Sequence, residues 1–160
     1  MRSETVSDLP RCYVAGPFGF TEAGRYYYRE VYLPALATVV TPVDPWALTS
    51  ASELVEARTA GRQREMALEI GRRNAEAIRS SALLAASLDG QEPDSGTVAE
   101  LGFAAALGKP CFGLRSDLRE SGEEGIALNL QVVALAIDSG GAIVATLAEL
   151  VEALRGAQAR

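Results

Sequence analysis

Short apolar runs alternate along this chain with longer segments in which apolar residues recur every three or four positions. The run CYVAG at 12–16 ends in Gly16-Pro17, as a buried first strand would where it leaves a sheet. FTEAGRYYYREVYLPAL follows, and Thr21-Glu22 suits the start of a helix running to about Ala37. VVTPVD at 39–44 reads as a second short strand, stopped by Pro45. The stretch LTSASELVEARTAGRQREMALEIGRRNAEAIRSS is helical in pattern. Ser50 and Glu53 form a capping-box pair at its start, and Gly61 divides it into two helices. ALLAASL at 82–88 is continuously apolar, as a third strand covered on both faces requires. A loop, DGQEPDSG, leads into the helix TVAELGFAAAL, which Gly108 stops. PCFGL at 110–114 is the fourth strand, and RSDLRESGEEG is a charged loop. LQVVALAI at 130–137 reads as the fifth strand, and after SGGA the chain closes with the helix TLAELVEALRGA.

Strands and helices in alternation, joined by short connections, predict a parallel sheet with helices on both faces. The expected fold is therefore a single-domain, flavodoxin-like (Rossmann-like) α/β fold. Its sheet is doubly wound, five-stranded and mainly parallel. Residues 1–10 are expected to be a flexible polar tail and 11–160 the domain. In such sheets ligands bind beyond the carboxyl ends of the strands, where the winding reverses. Here those ends are GPFGF, DPW, DGQEPDSG and RSD, so glycines and carboxylates collect on the edge where a site belongs.

Composition narrows the chemistry. With 160 residues, 48% of them hydrophobic, the chain can bury a substantial core. A net charge of −6 with scattered acids argues against a nucleic-acid surface, which needs a basic stripe to neutralise phosphates. No apolar run approaches a membrane span, and MRSETVSDLPR lacks the apolar centre of a signal peptide. The expected location is cytoplasmic. Cys12 and Cys111 each open a core strand, so both are expected as buried free thiols. The chain has no histidine, which removes Ser-His-Asp and Cys-His catalysis and every His-ligated metal site. If this chain is an enzyme, carboxylates must do its acid, base or nucleophilic work.

DSGTVAELG at 94–102 is where such carboxylates gather. With Asp94 as helix cap, Gly96, Thr97 and Glu100 share one face, while Val98, Leu101 and Ala105 fall on an apolar one. Glu100 then points back to the loop mouth. Gly96 lets a ligand approach the backbone, and Ser95 and Thr97 offer hydroxyls to a sugar. The alternative is a plain surface glutamate behind a helix cap. Asp89 and Asp94 flank a loop containing Gly90. They are either turn residues or carboxyl groups close enough to Glu100 to push its pKa and theirs apart, supplying an acid beside a nucleophile. Tyr13 places a phenol inside a buried strand, where its hydroxyl must find a partner. Trp46, just past the second strand, either stacks on a base or covers the core. AGPFGFTEAG has neither the Walker ending nor a dinucleotide fingerprint, and Arg115 and Arg119 read as surface charges.

Taken together, these residues resemble the nucleoside 2-deoxyribosyltransferase family. YVAGPFGF is similar to its opening strand and loop, with Gly16, Pro17 and Phe18 at the substrate edge. RRNAEAIRSSALLAASLDGQEPDSGTVAELGFAAALGKPCFGL resembles its central signature almost continuously, and ALNLQVV with Asn129 its later substrate-contacting segment. The resemblance implies that Glu100 is the nucleophile at C1′ of a 2′-deoxynucleoside and forms a covalent deoxyribosyl ester. It implies that Asp94 holds a sugar hydroxyl and that Tyr13 orients Glu100. It implies a small-molecule nucleoside and a free nucleobase as partners, no metal or organic cofactor, a part in nucleoside salvage, and a homodimer or larger homo-oligomer. Asn129 and Gln131 would then lie where a neighbour completes the pocket. Two departures leave base preference open. Asn74 stands where some members carry an aspartate, which shifts leaving-group protonation to Asp89 or water, and Trp46 stands where they carry a polar base-reading residue. The rival readings are an N-glycoside hydrolase of nucleosides or 5′-monophosphates, with Arg25, Ser95 or Arg115 for the phosphate, and a non-catalytic nucleotide-sensing module.

Overall fold

The computed structural model describes residues 9–157, so the expected tail lies, through residue 8, outside the described residues. Five strands form one all-parallel sheet in the order β2-β1-β3-β4-β5. They are β1 (Arg11–Ala15), β2 (Thr41–Val43), β3 (Leu83–Ser87), β4 (Cys111–Leu114) and β5 (Ala142–Val144). Between β1 and β2 run α1 (Glu22–Tyr27), a π turn at Tyr28–Tyr32 and α2 (Leu33–Leu36). Then come α3 (Ala51–Thr59), α4 (Gln63–Arg79), α5 (Ser95–Ala106), α6 (Leu130–Asp138) and α7 (Leu147–Ala157). The Ser50–Glu53 capping box opens α3 as expected, and Gly61, at φ +68°, separates α3 from α4.

Period-two alternation sorts the strand residues onto two faces. Cys12 and Val14 of β1 join Leu83, Ala85, Phe112 and Leu114 against the π turn, α2 and α7. Tyr13 and Ala15 point the other way, joining Leu84, Ala86 and Cys111 against α4, α5 and α6. Both faces are thus dry, and each fully buried leucine or valine stabilises the fold by roughly 1.5–3 kcal/mol. Both cysteines are free and buried, and burial pushes the Cys12 thiol up to about 12 and the Cys111 thiol up to about 11. Neither is a nucleophile at neutral pH.

The count of five strands holds, but the fifth is not LQVVALAI. Those residues form α6, capped by Asn129, whose side chain accepts from the Gln131 N–H at 2.9 Å. Val132 and Ala136, four apart, are its buried pair, and a short apolar run does not distinguish that spacing from a covered strand. The true β5 is only AIV, and Gly141 just before it lies against the Cys111 backbone, where a Cβ would sit 1.8 Å from the Cys111 oxygen.

The chain leaves β1 for β2 on one side and returns to β3 on the other. The winding therefore reverses between β1 and β3, opening a crevice at their carboxyl ends. Gly16 follows β1 there, and the loop 88–94 follows β3. No helix among the described residues is long and apolar enough to cross a membrane.

Candidate active site

The crevice holds a cavity of about 330 Å³. Its floor combines Gly16 from the end of β1 with Asp94, Gly96, Thr97 and Glu100 from the start of α5. Asn74 and Ile70, one turn apart on α4, form one wall. Phe20, Pro45 and Trp46 form the other.

Asp94 caps α5, its Oδ2 accepting from the Thr97 N–H at 2.9 Å and the Thr97 hydroxyl at 3.1 Å. Those bonds satisfy a free donor of the first turn and fix the carboxylate at the helix's positive end. The expected face of α5 is present: Gly96, Thr97 and Glu100 reach the cavity, while Leu101 and Ala104 are buried in the core.

Glu100 lies one turn inside the helix. Its Oε1 accepts from the Tyr13 hydroxyl at 2.6 Å and from Asn74 Nδ2 at 3.3 Å. Both donors hold the same oxygen, which orients the carboxyl plane and leaves Oε2 for chemistry. Burial pushes the Glu100 carboxyl above the ordinary carboxylate range; Tyr13 and then Asn74 pull it back by favouring the anion, and Asp94 pushes it up again. Tyr13 itself is held far above the usual phenol value by burial and by its bond to Glu100, so it stays a donor.

The other expected site residues are distributed less simply. Ser95 is exposed at the first position of α5. Pro17 caps the short helical turn Phe18–Phe20, and Phe18 turns inward to stack on Tyr28 at 5.1 Å. Gly90 binds the loop after β4 through its N–H, which donates to Asp117 at 3.1 Å. Asn129 is exposed at the α6 cap, away from this cavity. Asp89 is not brought to Glu100: its oxygens accept from the Ser116 N–H and hydroxyl, at 2.5 and 2.6 Å, and from the Asp117 N–H at 2.9 Å. Arg115 corrects its expected place at the surface. It is 6% exposed, and its guanidinium donates to the carbonyls of Leu88, Gly90 and Arg119. Arg25 donates to the Gly19 carbonyl.

Three cavity residues escaped the sequence reading: Phe20, Pro45 and Ile70. Ile70 carried a signal, since it precedes Asn74 by four positions on one helix. Phe20 and Pro45 carried none beyond their place beside a glycine loop and Trp46.

A carboxylate with one oxygen pinned by two donors and the other bare is suited to attack a saturated carbon that develops positive charge. A second carboxylate at the same floor favours that charge, as in sugar chemistry with oxocarbenium character. The wall of aromatic and aliphatic side chains suits a planar heterocycle.

The comparisons with known proteins agree with this geometry. The family model for nucleoside 2-deoxyribosyltransferase matches residues 12–143. A 2-desoxiribosyltransferase from Leishmania mexicana is 26% identical, with a TM-score of 0.62, covering 89% of this chain and 97% of that one. A conserved protein from Enterococcus faecalis V583 shares the fold at 23% identity and a TM-score of 0.66, over 93% of this chain and 99% of that one. The CMP N-glycosidase BcmB of Clostridium botulinum also shares it, at 17% identity and a TM-score of 0.53, over 89% and 94%. No curated protein matches the chain by sequence. The sheet order, the crevice at the β1/β3 reversal and the match over most of the chain lead to one conclusion: this chain is an enzyme of the nucleoside 2-deoxyribosyltransferase family.

Proposed function

We propose that the cavity cleaves the N-glycosidic bond of 2′-deoxynucleosides and passes the sugar to a second nucleobase. Oε2 of Glu100 forms a bond to C1′ as the bond from C1′ to the base nitrogen breaks. The electron pair leaves on the base, which takes a proton from solvent. A ring nitrogen of the incoming base then attacks C1′, the ester bond returns its electrons to Glu100, and the base loses its N–H proton. Asp94, through the oxygen turned away from Thr97, holds a sugar hydroxyl beside the reacting carbon. Tyr13 and Asn74 keep Glu100 aimed and favour its anion.

The observation that carries this reading is the paired donation of Tyr13 and Asn74 to a single oxygen of Glu100. It is tested by offering deoxyadenosine, deoxycytidine and their monophosphates to the protein, each with and without a free acceptor base, and separating the products. A new nucleoside formed only with acceptor supports transfer, and trapping of deoxyribose on Glu100 would establish the ester. Glu100→Ala should abolish cleavage in a folded protein, because the side chain lines the cavity and does not fill the core.

Hydrolysis is the second reading, favoured by the fold shared with a CMP N-glycosidase. Free base and sugar regardless of acceptor would establish it. Of the side chains expected to serve a phosphate, Arg115 is spent on backbone carbonyls, while Ser95 and Arg25 are exposed. A non-catalytic sensor would instead bind nucleosides undiminished by Glu100→Gln and release no base. We infer a homo-oligomer as well, since Asn129 and Gln131 stand exposed at the start of α6, and light scattering of the purified chain tests it.

A further inference from the structure

The indole of Trp46 is a partition. On one side lies the cavity with Glu100, and on the other a second cavity of about 310 Å³ bounded by Gly19, Arg25, Tyr28 and Asp44. Three features fix the partition in place. The Asp44 carboxylate accepts from the Trp46 N–H and from the Tyr28 hydroxyl, both at 2.9 Å, which anchors the backbone of the indole. Phe20 meets the ring edge-on, with centroids 4.9 Å apart.

The third feature is Gly19. A Cβ there would come within 2.4–2.5 Å of three indole atoms and nothing else nearer. Its backbone is not in the left-handed region, so no turn geometry demands glycine. What demands it is the indole, which lies flat against the turn, and the turn is held by Arg25 donating to the Gly19 carbonyl at 2.9 Å. We propose that Gly19 is a specificity-determining positioning residue. By leaving room for the indole, it sets the width of the slot in which Trp46 stacks on the departing and arriving nucleobase. This rests on the cavity's being the base-exchange site proposed above. The ligand class it implies is a planar heteroaromatic ring stacked on one face, with the sugar toward Glu100.

Gly19→Ala pushes a flexible side chain and not the backbone, so the fold should persist while the indole moves toward the catalytic cavity. Trp46 is the only tryptophan in the chain, so its fluorescence reports the site directly. Free adenine and free cytosine should quench wild-type emission on titration. Gly19→Ala should shift the emission and raise KM for the acceptor base about tenfold, the scale of one aromatic contact, with a smaller fall in kcat. With Trp46→Phe, whose smaller ring clears an alanine Cβ, adding Gly19→Ala should change KM less than about twofold. Equal effects of Gly19→Ala in both backgrounds, or cleavage with neither quenching nor a KM change, would overturn the inference while leaving the enzyme reading intact. Quenching without turnover of any nucleoside would sink the base-exchange reading, and with it Gly19's part in exchange, leaving only a base-binding slot. Should Gly19→Ala not fold, Trp46→Phe alone decides: an unchanged KM for the base refutes the slot.

Discussion

The loop after β3 carries Asp89 near its start and Asp94 at its end, and the structure sends these two aspartates to opposite tasks. Asp94 turns to the helix, spends one oxygen on Thr97 and keeps the cavity beside Glu100. Asp89 turns to the loop after β4 and gives its lone pairs to Ser116 and Asp117. Around Asp89 the bonding is reciprocal: Arg115 returns hydrogen bonds to Leu88 and Gly90, and the Gly90 N–H reaches Asp117. Identical side chains five residues apart therefore differ in what is left over after local bonding. A carboxylate whose oxygens are occupied by neighbouring donors has little left to offer a ligand, whereas one with a free oxygen can bind substrate.

The largest effect expected from this pair of aspartates tests that contrast directly. Asp94→Ala should lower kcat/KM by about a hundredfold or more, whereas Asp89→Ala should stay within about tenfold of wild type. Steady-state assays on one deoxynucleoside suffice. A collapse with Asp89→Ala and an intact Asp94→Ala would reverse the assignment and restore Asp89 as the acid for the leaving base.

Stability should rank the two the other way. Removing Asp89 loses the exposed hydrogen bonds from Ser116, which water can replace, and the half-buried one from Asp117, and it loosens the clasp around buried Arg115, at a cost of about 1–2 kcal/mol. Removing Asp94 costs about 1 kcal/mol for one helix cap. Urea unfolding of both variants separates the cases, and equal midpoints would show that the clasp is not structural.

The Asp94 end was legible in the sequence, and the Asp89 end was not. A cap, a small residue and a glutamate at helical spacing describe local geometry that any α-helix enforces, so Asp94, Gly96, Thr97 and Glu100 came out on one face. The resemblance marks Tyr13 as orienting Glu100 and Asn74 as a base contact; that both donate to Glu100 Oε1, across 87 and 26 residues, is visible only in the fold. Asp89 and Arg115 depend on how two loops fold over one another, which no periodicity encodes. LQVVALAI failed for a related reason: its apolar density suits either a strand or a helix, and only the Asn129 cap favours the helix. Gly19 and Phe20 sit in a glycine-rich turn whose purpose is visible only once Trp46 lies against it.

The pH dependence of activity sharpens the picture of the α5 end. In the proposed mechanism Glu100 attacks as the anion, and burial raises its carboxyl, so activity should climb along an acidic limb lying above the ordinary carboxylate range. Tyr13→Phe removes the stronger of the two donors that favour the anion and should move that limb to higher pH. Asn74→Ala should move it in the same direction by less. A pH profile of kcat/KM that is unmoved in Tyr13→Phe would show that the short Tyr13–Glu100 bond does not tune the nucleophile.

The smallest effect is on stability, and its sign follows from the same shift. Below the unfolded-state value near 4.5, Glu100 is protonated both folded and unfolded, so it imposes no cost. As pH rises through the unfolded value and then through the raised folded one, the folded chain must carry a partly buried anion, and relative stability is lost. Glu100→Gln keeps the shape and never ionises. Its melting temperature should match wild type near pH 4 and lie above it at pH 7 to 8. Asp94→Asn removes a neighbour that raises the Glu100 carboxyl, so it should narrow that gap, whereas Asp89→Asn should leave it alone. Thermal melts of the single and paired variants across this range provide the check. A gap that is largest in acid, or one that answers to Asp89 and not to Asp94, would mean that Glu100 shares its field with the wrong end of the loop.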